Sequence, residues 1–133
     1  MTLTKTKALG NFAEDRAAEY LVSLGWRVIE RNVRNDYGEL DVIAVDTKTR
    51  PEELVIVEVR ARTVGMTQAP LDSIGSRKLR TLLRSSQEYI DSLNWAGFWR
   101  IDVVGITFRD KDDFTNWELE HVRDITAGYS LWT

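Results

Sequence analysis

The chain has no cysteine, which removes disulfides and thiolate metal centres from consideration. Its one histidine, His121, has no second histidine with which to build a zinc site or serve a nucleophile, so a structural role is expected for it. Proline is scarce, with two in 133 residues, and there is no repeat, low-complexity segment or interdomain linker. No hydrophobic run approaches the ~18 residues of a membrane-spanning helix. The first ten residues, MTLTKTKALG, contain lysines but lack the apolar stretch of a secretion signal. The expectation is a cytoplasmic protein with no membrane partner. Positive charge is also in deficit: 18 Lys and Arg against 21 Asp and Glu leave a net charge of -3, which argues against indiscriminate binding to nucleic acid.

What is present fits a soluble globular chain. Hydrophobic residues make up 43% and charged residues 29%, and 133 residues suffice for one core, so a single domain over 1–133 is expected. Charge is unevenly placed. Arg77, Lys78, Arg80 and Arg84 follow one another with no acid between them, whereas Asp110 to Asp124 is strongly acidic. The five tryptophans are scattered, which favours core or interface roles over base stacking.

Periodicity supplies the elements. Ala13, Ala17, Tyr20, Leu21 and Leu24 recur at helical spacing before Gly25, which predicts a helix over 9–24. WRVIERNV (26–33) reads as a strand closed by the turn Asn35-Asp36-Tyr37-Gly38. ELDVIAV (39–45) and LVIVEVRAR (54–62) read as two strands paired antiparallel. A loop from Thr63 to Pro70 leads to a helix over roughly 71–93, whose core face is Leu79, Leu82, Leu83, Ser86, Ile90 and Leu93. FWRIDVVGITF (98–108) and WELEHV (117–122) complete the chain as strands. The order α-β-β-β-α-β, with an extra C-terminal strand, predicts an α/β fold with a mixed sheet flanked by helices.

Charge inside the strands is the informative feature. In LVIVEVRAR, Val55, Val57 and Val59 share one face, and Ile56, Glu58 and Arg60 share the other. A strand that opens with four apolar residues is buried on both faces, and charges at its end are costly without partners or a metal ion. In GELDVIAV, Leu40, Val42 and Ala44 point one way, while Glu39, Asp41, Ile43 and Val45 point the other. Pairing of these strands brings Asp41 and Glu58 to one side. Two like charges so placed need a cation between them, and hard oxygen ligands suit Mg²⁺ or Mn²⁺. Glu14 borders the buried stripe of the first helix, with Ala17, Ala18 and Leu21 following at i+3, i+4 and i+7. The plainer reading of Glu14 is an acid favoured by the helix dipole, and of Glu58 and Arg60 a same-face ion pair.

The stretches GNFAEDRAAEYL, RNVR, GELDVIA and VEVRAR, followed by Lys78 and by RIDVV at 100–104, resemble the YraN-type family of uncharacterised bacterial proteins. That family resembles the Holliday junction resolvases of the PD-(D/E)xK nuclease superfamily, a restriction-endonuclease-like fold. The resemblance covers residues 9–107. It implies that Asp41 and Glu58 are metal ligands and catalytic acids, and that Glu14 is the helix acid that resolvases add. Arg60 stands where the superfamily usually carries lysine. A lysine can approach the attacking water and accept its proton, whereas a guanidinium stays charged and can only clamp a phosphate oxygen.

The expected function is a divalent-metal-dependent endonuclease acting on DNA, branched DNA included, with a second copy of the chain as an open partner. The competing expectation is a nuclease fold that binds nucleic acid without cutting it. A third is a partner-binding domain with a buried ion network. Arg62, Arg77, Lys78, Arg80 and Arg84 are the candidate nucleic-acid contacts. Arg77, Arg80 and Arg84 fall at i, i+3 and i+7 on one stripe of the second helix, which solubility alone would also explain. Asp102 matches the family's R-x-D and ranks below the other acids as a partner for Arg100 or for backbone.

Overall fold

The computed structural model describes residues 5–65 and 71–126. In chain order these form α1 (Lys5–Ser23), β1 (Arg27–Asn35), β2 (Gly38–Asp46), β3 (Glu53–Thr63), a 3-10 turn (Leu71–Ser73), α2 (Ser76–Leu93), β4 (Trp99–Asp110) and β5 (Asp113–Val122). The five strands lie side by side in the order β1-β2-β3-β4-β5. All neighbours are antiparallel except β3 and β4, which run parallel and are joined through α2. This is the mixed sheet and element order that the periodicity predicts. Of the loop expected over 63–70, residues 66–70 lie outside the described residues.

The sheet is covered on both faces. Ala13, Ala17 and Leu21 of α1 pack against Val42, Ala44, Val55, Val57 and Val104, and the small alanines let the helix approach closely. Leu79, Leu82, Tyr89 and Ile90 of α2 pack on the other face against Ile43, Val45, Leu54, Ile56 and Ile101. Leu54 through Val57 are fully buried, as a run of four apolar residues in a doubly covered strand requires.

Both helices end in the same way. Gly25, at φ 86, closes α1 while its N–H donates to Val22 O and the Trp26 N–H donates to Leu21 O. Asn94, at φ 58, closes α2 with the equivalent bonds to Asp91 O and Ile90 O. Gly38, at φ 152, lets the β1–β2 turn reach α2, because a Cβ there would stand 3.1 Å from Ser85 Oγ.

Three boundaries differ from expectation. The α1 helix begins four residues early at Lys5, and β5 is longer than WELEHV, starting at Asp113. The second helix is not continuous from 71: Gly75, with extended backbone at φ -78 and ψ 175, separates the 3-10 turn from α2. Its far end also turns differently. Leu93 is 41% exposed, and Tyr89 fills the core position, its hydroxyl donating to Glu30 Oε1 at 2.9 Å.

Candidate active site

The site forms where β2 parts from β3. Their ladder runs from Asp46↔Glu53 to Val42↔Val57 and stops there. Beyond it, Asp41 Oδ2 accepts the Val59 N–H at 2.8 Å, so a side chain replaces the missing ladder bond. On the other side of β2, Asn32 sits at φ 53 between the pairs Arg31↔Val42 and Val33↔Leu40. The strands change faces at this point. Val42 and Ala44 lie on the α1 side, but Leu40 joins the α2 cluster with Ile43, contrary to the alternation that groups Leu40 with Val42. A left-handed residue breaks the two-residue period of β1 here, and the paired stretch of β2 changes face with it. Asp41 occupies the break and opens onto a cavity of about 260 Å³ bordered by Gly10, Asn11 and Glu14 of α1 and by Val59 and Ala61 of β3.

Glu58, on β3, is 3% exposed. Its charge bears on Asp41 across the end of the β2–β3 ladder. Burial, and then the charge of Glu58, push the Asp41 pKa up to about 7, against the pull of the Val59 N–H. Glu14 is also raised, first by burial and then by the charge of Asp41, although Arg31 Nη2 at 3.3 Å opposes this. Two cations stand on one oxygen of Glu58: Arg60 Nη1 at 3.3 Å and Lys78 Nζ at 3.4 Å. Arg60 is further fastened to the 3-10 turn, its Nε donating to Ser73 Oγ at 2.9 Å and its Nη2 to Ser73 O at 3.1 Å. Lys78 of α2 therefore sits at the acids.

The donor set suits a hard divalent ion in one respect. Asp41 offers a carboxylate at the cavity with the Glu58 carboxylate near it, and Mg²⁺ is commonly held by one or two carboxylates together with waters and substrate phosphate. Among the described residues no three acids, histidines or cysteines converge as a ready metal cage, and Glu14 is partnered by Arg31 beside the pair.

The remaining cations divide into two groups. Arg77, Arg80 and Arg84 are exposed along α2 and make no ion pair among the described residues. Arg62, two residues beyond Arg60 on β3, has its Nε and Nη1 buried with no hydrogen-bond partner among the described residues.

The opposite end of the sheet holds a network that strand periodicity did not anticipate. Arg100 donates to Asp46 Oδ2 at 3.0 Å, Glu53 Oε2 at 2.8 Å and Asp102 Oδ1 at 3.0 Å. Asp102 also accepts the Asp124 N–H at 2.8 Å and meets His121 Nε2 at 2.9 Å, while His121 Nδ1 meets the Tyr20 hydroxyl at 2.9 Å. Asp102 thus pairs with Arg100 and backbone, and His121 is structural, fastening α1 to β4 and β5. The R-x-D spacing was the signal for the first pair. Nothing local marks Asp46, Glu53 or Tyr20 as its partners.

Residues 13–106 match the model of the uncharacterised protein family UPF0102. A UPF0102 protein of Marinobacter nauticus is 42% identical over 106 residues, covering 77% of this chain and 80% of that one. One from Mycobacterium tuberculosis is 38% identical over 126 residues, covering 93% and 95%. One from Chlorobium chlorochromatii is 33% identical over 121 residues, covering 90% and 91%. Among solved structures, Pyrococcus furiosus SfsA in complex with Ca²⁺ matches at a TM-score of 0.28 and 14% identity, over 90% of this chain and 62% of that one, a likeness too distant to carry an argument. The extent and identity of the curated matches place this chain in the uncharacterised protein family UPF0102, the YraN-type family that its GELD and VEVR motifs resemble.

Proposed function

We propose that this protein is a divalent-metal-dependent endonuclease-like enzyme of the cytoplasm that hydrolyses phosphodiester bonds in DNA, branched DNA included, and works as one domain. The observation that carries the reading is the set of charges at the end of an otherwise apolar strand pair: Asp41 holding the Val59 N–H, the buried Glu58, and the Lys78 ammonium on Glu58. A buried acid, Glu58, near a half-buried one, Asp41, is electrostatically unfavourable without a proton or a cation, and such arrangements concentrate at functional sites.

Asp41 and Glu58 would hold Mg²⁺ or Mn²⁺, with Glu14 beside them. When bound, such an ion supplies positive charge for a phosphate and acidifies water. The chain's own residues supply the rest. Hydrolysis breaks one P–O bond, places the water oxygen on phosphorus and leaves a proton on the departing oxygen. Lys78 is the group at the acids that can give or take that proton, because a guanidinium stays charged. Arg60 and Arg62 stand on the same strand to neutralise the phosphate.

A second reading, a fold that binds nucleic acid without cutting it, is favoured by one observation: the residue in the usual lysine place is an arginine tied to Ser73. Two measurements separate the readings. Mn²⁺ titration of the parent should show weak binding that is lost in Asp41→Ala and Glu58→Ala. Cleavage of plasmid and four-way-junction DNA in Mn²⁺ should be lost in Asp41→Asn. Binding without cutting supports the second reading. A parent that neither binds nor cuts nucleic acid in either metal ion removes both.

A further inference from the structure

We propose that the cavity between α2 and the start of β4 is a nucleobase pocket, which holds an unpaired base of a strand whose phosphates run along α2. The inference rests on the nucleic-acid reading above and extends it to a place away from the acids. The cavity is about 330 Å³ and is bounded by Leu83, Arg84 and Gln87 of α2, Trp99 of β4 and Thr126. Its walls combine an indole and a leucine with one cation and one amide.

The approach to the pocket is as informative as its walls. Arg77, Arg80, Arg84 and Gln87 recur at i, i+3, i+7 and i+10, one exposed line on the helix. The line starts beside Lys78, which touches Glu58, and ends on the pocket wall. At 1.5 Å per residue, Lys78 and Arg84 lie about 9 Å apart along the axis, within reach of a strand held at the acids. The three arginines have no ion pair among the described residues, so the line carries uncompensated positive charge.

That charge selects the occupant. A base enters with a phosphate on each side, which the arginines complement. Trp99 offers a ring for stacking, Arg84 a guanidinium plane and Gln87 a donor and an acceptor for the base edge. Residues 127–133, AGYSLWT, follow Thr126 in the chain but carry no acidic side chain to match the arginines. Among the described tryptophans Trp99 is the one that borders this cavity, while it also packs against the core on the α2 side.

The test compares a short fluorescein-labelled single strand with an abasic strand of the same length, by anisotropy in Ca²⁺. The parent should bind the normal strand about tenfold tighter or more, the scale of losing one stacked base. Trp99→Ala should erase that ratio, Trp99→Phe should retain it, and Arg80→Ala, on the line but off the pocket wall, should weaken both strands alike. Equal affinity of the parent for normal and abasic strands overturns the pocket and leaves it to a protein partner or to residues 127–133, while the nucleic-acid reading stands. Failure to bind either strand sinks that reading and this inference with it.

Discussion

Lys78 Nζ on α2 stands 3.4 Å from Glu58 Oε2 on β3, so the ammonium at these acids comes from the helix rather than from the strand position that carries Arg60. The two cations then have separable duties. Lys78→Ala should lower the proposed cleavage by about 10²-fold with little loss of stability, since Lys78 is 40% exposed. Arg60→Ala should be the less stable variant, by about 1–3 kcal/mol, because it gives up charged hydrogen bonds to Ser73. Single-turnover cleavage in Mn²⁺ and thermal melts of both variants rank them. A reversed ranking assigns the phosphate to Arg60.

Stability should depend on pH through Asp41. Its ordinary value is 3.8 and its folded value is about 7, so between these the fold holds a proton that the unfolded chain releases. Stability therefore falls as pH rises from about 4 to about 7, by on the order of a few kcal/mol at most. Asp41→Asn keeps an acceptor for the Val59 N–H and cannot ionise. In metal-free buffer it should match the parent near pH 4 and exceed it near pH 8, as read by urea unfolding. A parent as stable as the variant at both ends would mean that Asp41 is not held protonated.

The far end of the sheet should respond in the opposite sense. Burial alone would raise Asp102, but hydrogen bonds from His121, Arg100 and the Asp124 N–H outweigh it and hold its pKa below the usual value. The stability that it contributes is present above the ordinary Asp range and is lost as pH falls through the lowered value. Asp102→Ala should cost about 3–5 kcal/mol, because Arg100 and His121 lose a buried partner. Urea unfolding at neutral pH measures this. A change under 1 kcal/mol would mean that Asp46 and Glu53 suffice for Arg100.

The arginine line on α2 should show itself in salt. Each of Arg77→Ala, Arg80→Ala and Arg84→Ala should weaken binding to DNA of any sequence and flatten the slope of log affinity against log salt by about 0.9 per lost phosphate contact. Anisotropy over a salt series measures it. A triple variant with unchanged slope returns the line to a solubilising role.

Much of this was legible from pattern alone. The β3 alternation puts Val55 and Val57 on one face and Ile56 on the other, and they lie toward α1 and α2 respectively, because the strand is regular and paired on both sides there. The site acids were legible for the same reason, being charges where period and burial called for apolar residues. What was missed depends on contacts distant in sequence. The face change at Leu40 accompanies Asn32 at φ 53 on the neighbouring strand, and an asparagine in a strand does not declare its conformation. The fastening of Arg60 requires Ser73 to be brought alongside β3. Tyr89 replaces Leu93 in the core because Glu30 on β1 accepts its hydroxyl, a partner 59 residues away.

The parallel join between β3 and β4 bears on how the chain assembles. Strands β1, β2 and β3 pair with chain neighbours across short turns, whereas Leu54 meets Trp99 only after α2 has been threaded between them. Closing a long segment costs chain entropy that adjacent hairpins do not incur, so the three-strand meander has the faster route. Asp41 and Glu58 become neighbours within that meander, and Lys78 reaches them last, carried in by the crossover helix. Within the meander Arg60 is the counter-charge on Glu58, and the long closure through α2 is what adds Lys78 to the site.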